Sequence, residues 1–311
     1  MTTERPKTFI GGYAAILATV LIWSTPSLFQ FYLNRFYDPW AQNFYRYSVA
    51  FLAVLPFVFF QRNRPSFNGS AFVACLIPSL PNVVHQITQT VALFHMGPGV
   101  FAIFIRSSVI ITALLALIFF PEERWVIRQW RFQVGTLFGL AGAVGVLWFQ
   151  PGQQGGPIAL RGIAIAFTAS FAWALYSVLV KRPSARLGPI RSFGLISFIT
   201  SALLLPLTLM FGTITTPLHV NANVNIILII SAVTCISLAH VLYYVAIRQV
   251  GVALSQTLQL LCPAGALGLS AIFFGERLTT EQIWSAAVLL FGAFLAMQVK
   301  TEPAQVAAEN L

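Results

Sequence analysis

The chain has 311 residues, of which 58% are hydrophobic and only 8% charged, against roughly 25% charged in an ordinary soluble domain. That composition cannot clothe a water-exposed globule, so most of the chain lies in a lipid bilayer. The formal net charge of +10 falls in short clusters between apolar stretches rather than along one stripe, which excludes nucleic acid as a partner and points to membrane topology.

At about 20 apolar residues per crossing, the sequence predicts an all-α integral membrane protein. Ten helices are placed near 11–33, 39–60, 71–93, 99–120, 131–149, 162–180, 192–212, 224–246, 252–274 and 282–299. The start, MTTERPKTF, is charged but leads into an apolar stretch without a small-residue cleavage site, so it reads as a first spanning helix rather than a signal peptide. In the first helix Trp23 and Ser24 precede Pro26, which predicts a kink. The second carries Arg46 between Tyr45 and Tyr47; on a peripheral helix that cation is expected to snorkel to the outer interface.

The third helix places Asn82, His85, Gln86 and Gln89 on one face at i, i+3, i+4 and i+7. A polar stripe facing lipid would leave its amides unsatisfied, so this face is expected to turn inward. The fourth helix carries Arg106, roughly 10 Å below the outer surface at about 1.5 Å per residue. A cation at that depth is costly and is normally paired or functional. Its forked donors suit an anionic solute group such as a carboxylate; backbone carbonyls and water are the alternative. The fifth helix aligns Gly135, Gly139, Gly142 and Gly145, a stripe for close packing on another helix of the chain or, alternatively, on a second copy in a homodimer.

In the second half, Trp173 and Tyr176 stand one turn apart on helix six, and with Trp23, the counterpart of Trp173, they are positioned to stack on a solute ring or to fill the core. Helix eight carries His240 and Tyr243. His85 and His240 could exchange protons near neutral pH or serve as hydrogen-bonded structural residues. Helix nine offers Gln256 and Gln259 one turn apart before Pro263, either facing a cavity or clamping helix to helix.

The eight acidic residues (Glu4, Asp38, Glu122, Glu123, Glu276, Glu281, Glu302 and Glu309) all fall in loops, termini or helix ends. A carboxylate proton relay or sodium cage, which needs buried acids, is not expected. Cys75, Cys235 and Cys262 lie inside apolar runs without ligand spacing, so they read as buried thiols, and no metal or cofactor is expected.

Of the 18 Lys and Arg residues, 13 lie on the inner side if the N-terminus is cytoplasmic, Arg35, Arg161 and Arg277 lie outside, and Arg46 and Arg106 lie within spans. This bias predicts a multi-pass protein of the cytoplasmic membrane with both termini cytoplasmic. The chain also repeats itself. Pro121-Glu122-Glu123-Arg124 matches Phe274-Gly275-Glu276-Arg277 at an offset of 153, Trp23 matches Trp173 and Gly97 matches Gly251. Five helices per copy is an odd number, which inserts the second copy upside down. The expected division is a first repeat over 11–149, a linker over 150–161, a second repeat over 162–299 and a cytoplasmic tail over 300–311.

Trp23-Ser24, Arg46-Tyr47, Pro263 and Gly275-Glu276-Arg277-Leu278-Thr279 together resemble the drug/metabolite transporter superfamily, EamA type, over roughly residues 13–298. The resemblance implies a ten-helix fold with a central cavity lined mainly by helices 1, 3, 4, 6, 8 and 9, and transport of small metabolites. The first half departs from the pattern, with Pro121-Glu122-Glu123-Arg124 for Gly-Glu-Arg and Ile110 where the counterpart of Pro263 would stand. The expectation is an alternating-access secondary transporter, most simply an exporter of amino acids or similar zwitterionic or anionic solutes. A multispecific drug extruder is the alternative, and it would want an acidic cavity residue to draw in cations. A membrane enzyme would need an acid cluster, a GxSxG or an HExxH, none of which occurs, so no catalytic residues are expected.

Overall fold

A computed structural model of the chain describes residues 8–60, 69–149, 160–274 and 279–299, and among these the regular structure is helical, without strands. Among the described residues, ten helices are long and apolar enough to cross a bilayer: α1 Gly11–Leu33, α2 Pro39–Phe60, α3 Gly69–His95, α4 Val100–Phe119 and α5 Trp130–Trp148 in the first half. The second half holds α6 Leu160–Leu187, α7 Pro189–Phe211, α8 Ala222–Val250, α9 Val252–Leu269 and α10 Thr280–Met297. The sixth helix outruns its expected end because Lys181–Leu187 adds an amphipathic turn that buries Pro183, Ser184 and Leu187. The expected linker up to residue 159, the tail and the Gly275–Leu278 motif lie outside the described residues.

Helices α1–α5 and α6–α10 form two inverted repeats, and their contacts obey the resulting two-fold. The α1 helix packs on α8 as α6 packs on α3, while α2 meets α7, α4 meets α9 and α5 meets α10. The three self-symmetric pairs share one register. Ser48 Oγ meets Ser201 Oγ at 2.7 Å and Arg106 Nη1 donates to the Gln259 carbonyl at 2.7 Å, each pair 153 residues apart. Gly139 faces Gly292 at the same separation. In α5–α10 the backbones touch: a Cβ on Gly135 would stand 2.7 Å from Ala296 N and Gly292 O. The glycine stripe is therefore spent on α10, within the chain.

Besides α6, which breaks at Val180 between Leu160–Leu179 and Lys181–Leu187, four helices are interrupted. The α1 helix stops at Trp23 and resumes at Pro26, and α4 breaks at Arg106. In α8 the stretch Ala232–Leu238 is π-helical, and α9 tightens to a 3₁₀ turn at Gln259–Leu261. Pro263 accounts for α9, because its ring removes the donor that the Gln259 carbonyl would otherwise accept from. The fourth helix has no such proline. There the Arg106 side chain does the work: Nε takes the Ala102 carbonyl at 3.3 Å, and the Arg106 N–H turns to Ile103 O at 3.2 Å.

Candidate binding cavity

All four interruptions line one cavity of ≈ 90 Å³, room for on the order of six to nine waters. It lies in the half of the bundle nearer the α1–α2 and α3–α4 turns. Its walls include Trp23, Pro26, Ser27 and Gln30 of α1, His85, Gln86 and Gln89 of α3, Phe101, Ile105 and Arg106 of α4, and Trp173 of α6. The second repeat adds Cys235, Ile236 and His240 of α8 with Gln259 and Cys262 of α9. Among the described residues, no Asp or Glu lines it.

Arg46 lines the cavity too, which corrects the snorkelling expectation. Its residue is 1% exposed, and Nε and Nη1 have no hydrogen-bond partner. Snorkelling requires an edge open to the interface, but Arg46 is turned away from the exposed face of α2 that carries Leu52 and Phe57, on a helix packed against α7 and the π stretch of α8. Sequence reasoning missed it. The signal was present, since Arg46 is a mid-span cation without an acidic partner, as Arg106 is. Gln30, 1% exposed on the cavity wall, was missed as well.

Arg106 is half-buried and tied to the Ala102 and Gln259 carbonyls, the second being the one that Pro263 releases. The sequence alternative of carbonyl partners and the expected cavity position thus occur together. The two histidines are fixed by backbone oxygens: Nδ1 of His85 lies 2.9 Å from Ala169 O, and Nδ1 of His240 lies 2.8 Å from Ile236 O. A carbonyl only accepts, so each Nδ1 carries a proton. His240 Nε2 is buried without a partner, as is Gln259 Nε2.

Trp23 and Trp173, the repeat mates, meet edge to face with centroids 5.2 Å apart. Trp23 Nε1 donates to Cys235 O at 2.9 Å, within the π stretch, where the shifted backbone pairing leaves that carbonyl to a side chain. Ring planes and polar tips therefore share one wall.

Four of the anticipated residues do not line the cavity. Asn82 accepts from Tyr47 Oη at 3.0 Å and donates to Thr200 Oγ1 at 3.1 Å, joining α2, α3 and α7. Tyr176 Oη is hydrogen-bonded to Tyr244 Oη. Tyr243 packs on Trp23 and Trp173 with its hydroxyl unpartnered. Gln256 Nε2 donates to Ser177 Oγ at 2.7 Å, the helix clamp that was the alternative for it.

Beyond these residues, toward the α8–α9 turn, Val252–Leu258 of α9 is buried throughout. Gly251, at φ +89°, turns α8 into α9 within one residue, a conformation side-chain-bearing residues resist. The turn delivers the α9 N-terminus onto Glu123, which is 5% exposed and accepts from Val252 N at 2.9 Å, Ala253 N at 2.8 Å and Lys181 Nζ at 2.5 Å. The carboxylate supplies the acceptors that a helix start lacks, and its charge suits the helix dipole. Lys181 also bonds Glu122 at 3.0 Å and lies over the Phe120 ring. Partial burial pushes the Glu122 carboxyl up, but its own backbone N–H, Lys181 and Arg182 outweigh that and hold it below the ordinary value.

Residues 10–148 and 160–298 each match the profile of the EamA-like transporter family. An uncharacterized transporter of Haemophilus influenzae is 25% identical over 195 residues, which span 61% of this chain and 62% of that protein. One solved crystal structure of a protein superposes with a TM-score of 0.73 at 19% identity, covering 94% of this chain and 97% of the other, a likeness of fold.

Proposed function

Because this chain belongs to the EamA-like transporter family, we propose that it is a secondary transporter of small organic anions across the cytoplasmic membrane. Amino acids and their derivatives fall within the solute class, export is the direction, and alternating access of the inverted halves is the mechanism. The observation that carries this reading is electrostatic: Arg46 and Arg106 face one cavity, and among the described residues no carboxylate lines it to neutralise them. A buried cation without a partner costs several kcal/mol, and a solute anion would remove that cost on binding. The same lining disfavours the cationic drugs a multispecific extruder would carry.

With both termini cytoplasmic, the Glu123–Lys181 end is the inner one, and the cavity belongs to an outward-facing state. The test is a comparison of metabolites inside and outside cells with and without the gene. Small organic acids or zwitterions that shift with the gene support the proposal, and a shift confined to organic cations would refute it.

A further inference from the structure

We infer that the cavity selects a carboxylate bearing a hydroxyl on the adjacent carbon, a 2-hydroxy acid, and that His240 reads the hydroxyl. The inference rests on the anion reading above and adds a specificity residue to it. Three buried groups without hydrogen-bond partners share the cavity: Arg46 through Nε and Nη1, Gln259 through Nε2, and His240 through Nε2. The first two can only donate at those atoms. His240 differs, because its Nδ1 proton is committed to Ile236 O at 2.8 Å. In the singly protonated ring Nε2 is then a lone pair. Phe193 stacks on that ring at 5.5 Å and Trp23 meets its edge at 5.2 Å, so the ring is held in one orientation.

The unpartnered buried atoms of the cavity residues are thus donors with one acceptor among them, beside the amides of Gln30, Gln86 and Gln89 and the hydroxyls of Ser27 and Ser108, which can do either. A simple carboxylate satisfies the donors and leaves His240 Nε2 desolvated without a partner. A neighbouring hydroxyl completes the set, and ≈ 90 Å³ keeps both ends of a small acid within reach of these groups. A 2-amino acid also carries a donor there, but its ammonium enters a cavity lined, among the described residues, by two guanidinium groups and no carboxylate. Like charges oppose it, which ranks the hydroxy acid above the amino acid.

Trp23 and Trp173 in the wall supply the readout. Their fluorescence in the purified full-length protein is titrated with 2-hydroxy-4-methylpentanoate, leucine, 4-methylpentanoate and 2-hydroxy-4-methylpentanamide. The hydroxy acid is expected to bind at least about tenfold more tightly than 4-methylpentanoate, the effect of one unmet buried hydrogen bond. Leucine is expected between the two, and the amide weakest. In His240→Phe the hydroxyl preference falls to about onefold while 4-methylpentanoate keeps its affinity; in His240→Gln, whose Oε1 still accepts, the preference survives.

A hydroxyl preference that persists in His240→Phe overturns the inference, as does leucine binding more tightly than the hydroxy acid or no binding by any of the four. A carboxylate site blind to the hydroxyl overturns the inference alone. Equal affinity for acid and amide overturns the anion reading beneath it.

Discussion

At the α8–α9 turn Glu123 is 5% exposed, and both its oxygens are matched, by two backbone N–H groups and by Lys181. In the cavity, Arg46 is 1% exposed and two of its nitrogens have no match. Burial is nearly equal and the satisfaction opposite. Buried charges that serve stability are paired, because leaving one unpaired costs several kcal/mol. A site that must bind and release a solute keeps some of that demand open for the ligand, so function and stability pull apart in one place and coincide in the other.

The comparison breaks most visibly at Glu123. Glu123→Ala leaves two α9 N–H groups without their acceptor and Lys181 with Glu122 alone, and is expected to destabilise the protein by about 3–5 kcal/mol, read as a fall in melting temperature. Native cysteines report where the damage lies. Cys235 and Cys262 line the cavity, whereas Cys75 is fully buried outside its lining. A small impermeant thiol reagent should modify the first two in the wild type and reach Cys75 only in Glu123→Ala. Equal labelling of Cys75 in both proteins would mean that Glu123 does not hold that end shut.

Next in size is Arg106→Gln. It removes a guanidinium from the cavity and the bond to Gln259 O, so transport of organic anions into proteoliposomes should fall at least about tenfold, with roughly 1–3 kcal/mol of stability lost. Unchanged anion affinity would confine Arg106 to its structural role. Lys181→Met keeps the stem over Phe120 but deletes both ion pairs, and about 1–2 kcal/mol should disappear in denaturant titration. A larger loss than in Glu123→Ala would reverse the assigned hierarchy.

The smallest effect is in pH. Glu122 titrates below its ordinary 4.5 in the folded protein. Its contribution is therefore complete above that value and lost as pH falls through the lower, folded one. Its side chain is 56% exposed, so acidification should remove about 0.2–1 kcal/mol. In Lys181→Met that part of the acid dependence should shrink, because the Glu122 backbone N–H and Arg182 remain.

Much of this architecture was legible because lipid leaves so few options. Runs of about twenty apolar residues had to be helices, and the 153-residue offset reappears as the Ser48–Ser201, Arg106–Gln259 and Gly139–Gly292 contacts. The site was half legible for a geometric reason. Helical spacing tells which face a residue shares, not how deep along the axis the cavity extends.

So His85, Gln86 and Gln89 reach the cavity while Asn82, one turn earlier, does not. Likewise Gln259 lines it without Gln256, Trp173 without Tyr176, and His240 without Tyr243. The role of Glu123 was hidden because its partners lie 129 and 130 residues away, in a helix start that only the fold delivers. Arg46 was misplaced because snorkelling and burial differ only in which way α2 is rotated.

Arg46→Gln tests the central claim most directly, through melting temperature and anion transport measured on the same preparation. Removing a buried cation that has no partner should leave the empty protein as stable as the wild type or more so, while transport of small organic anions falls at least about tenfold. A lower melting temperature with anion transport intact would contradict the account, for Arg46 would then be part of the scaffold and not the reason a solute enters.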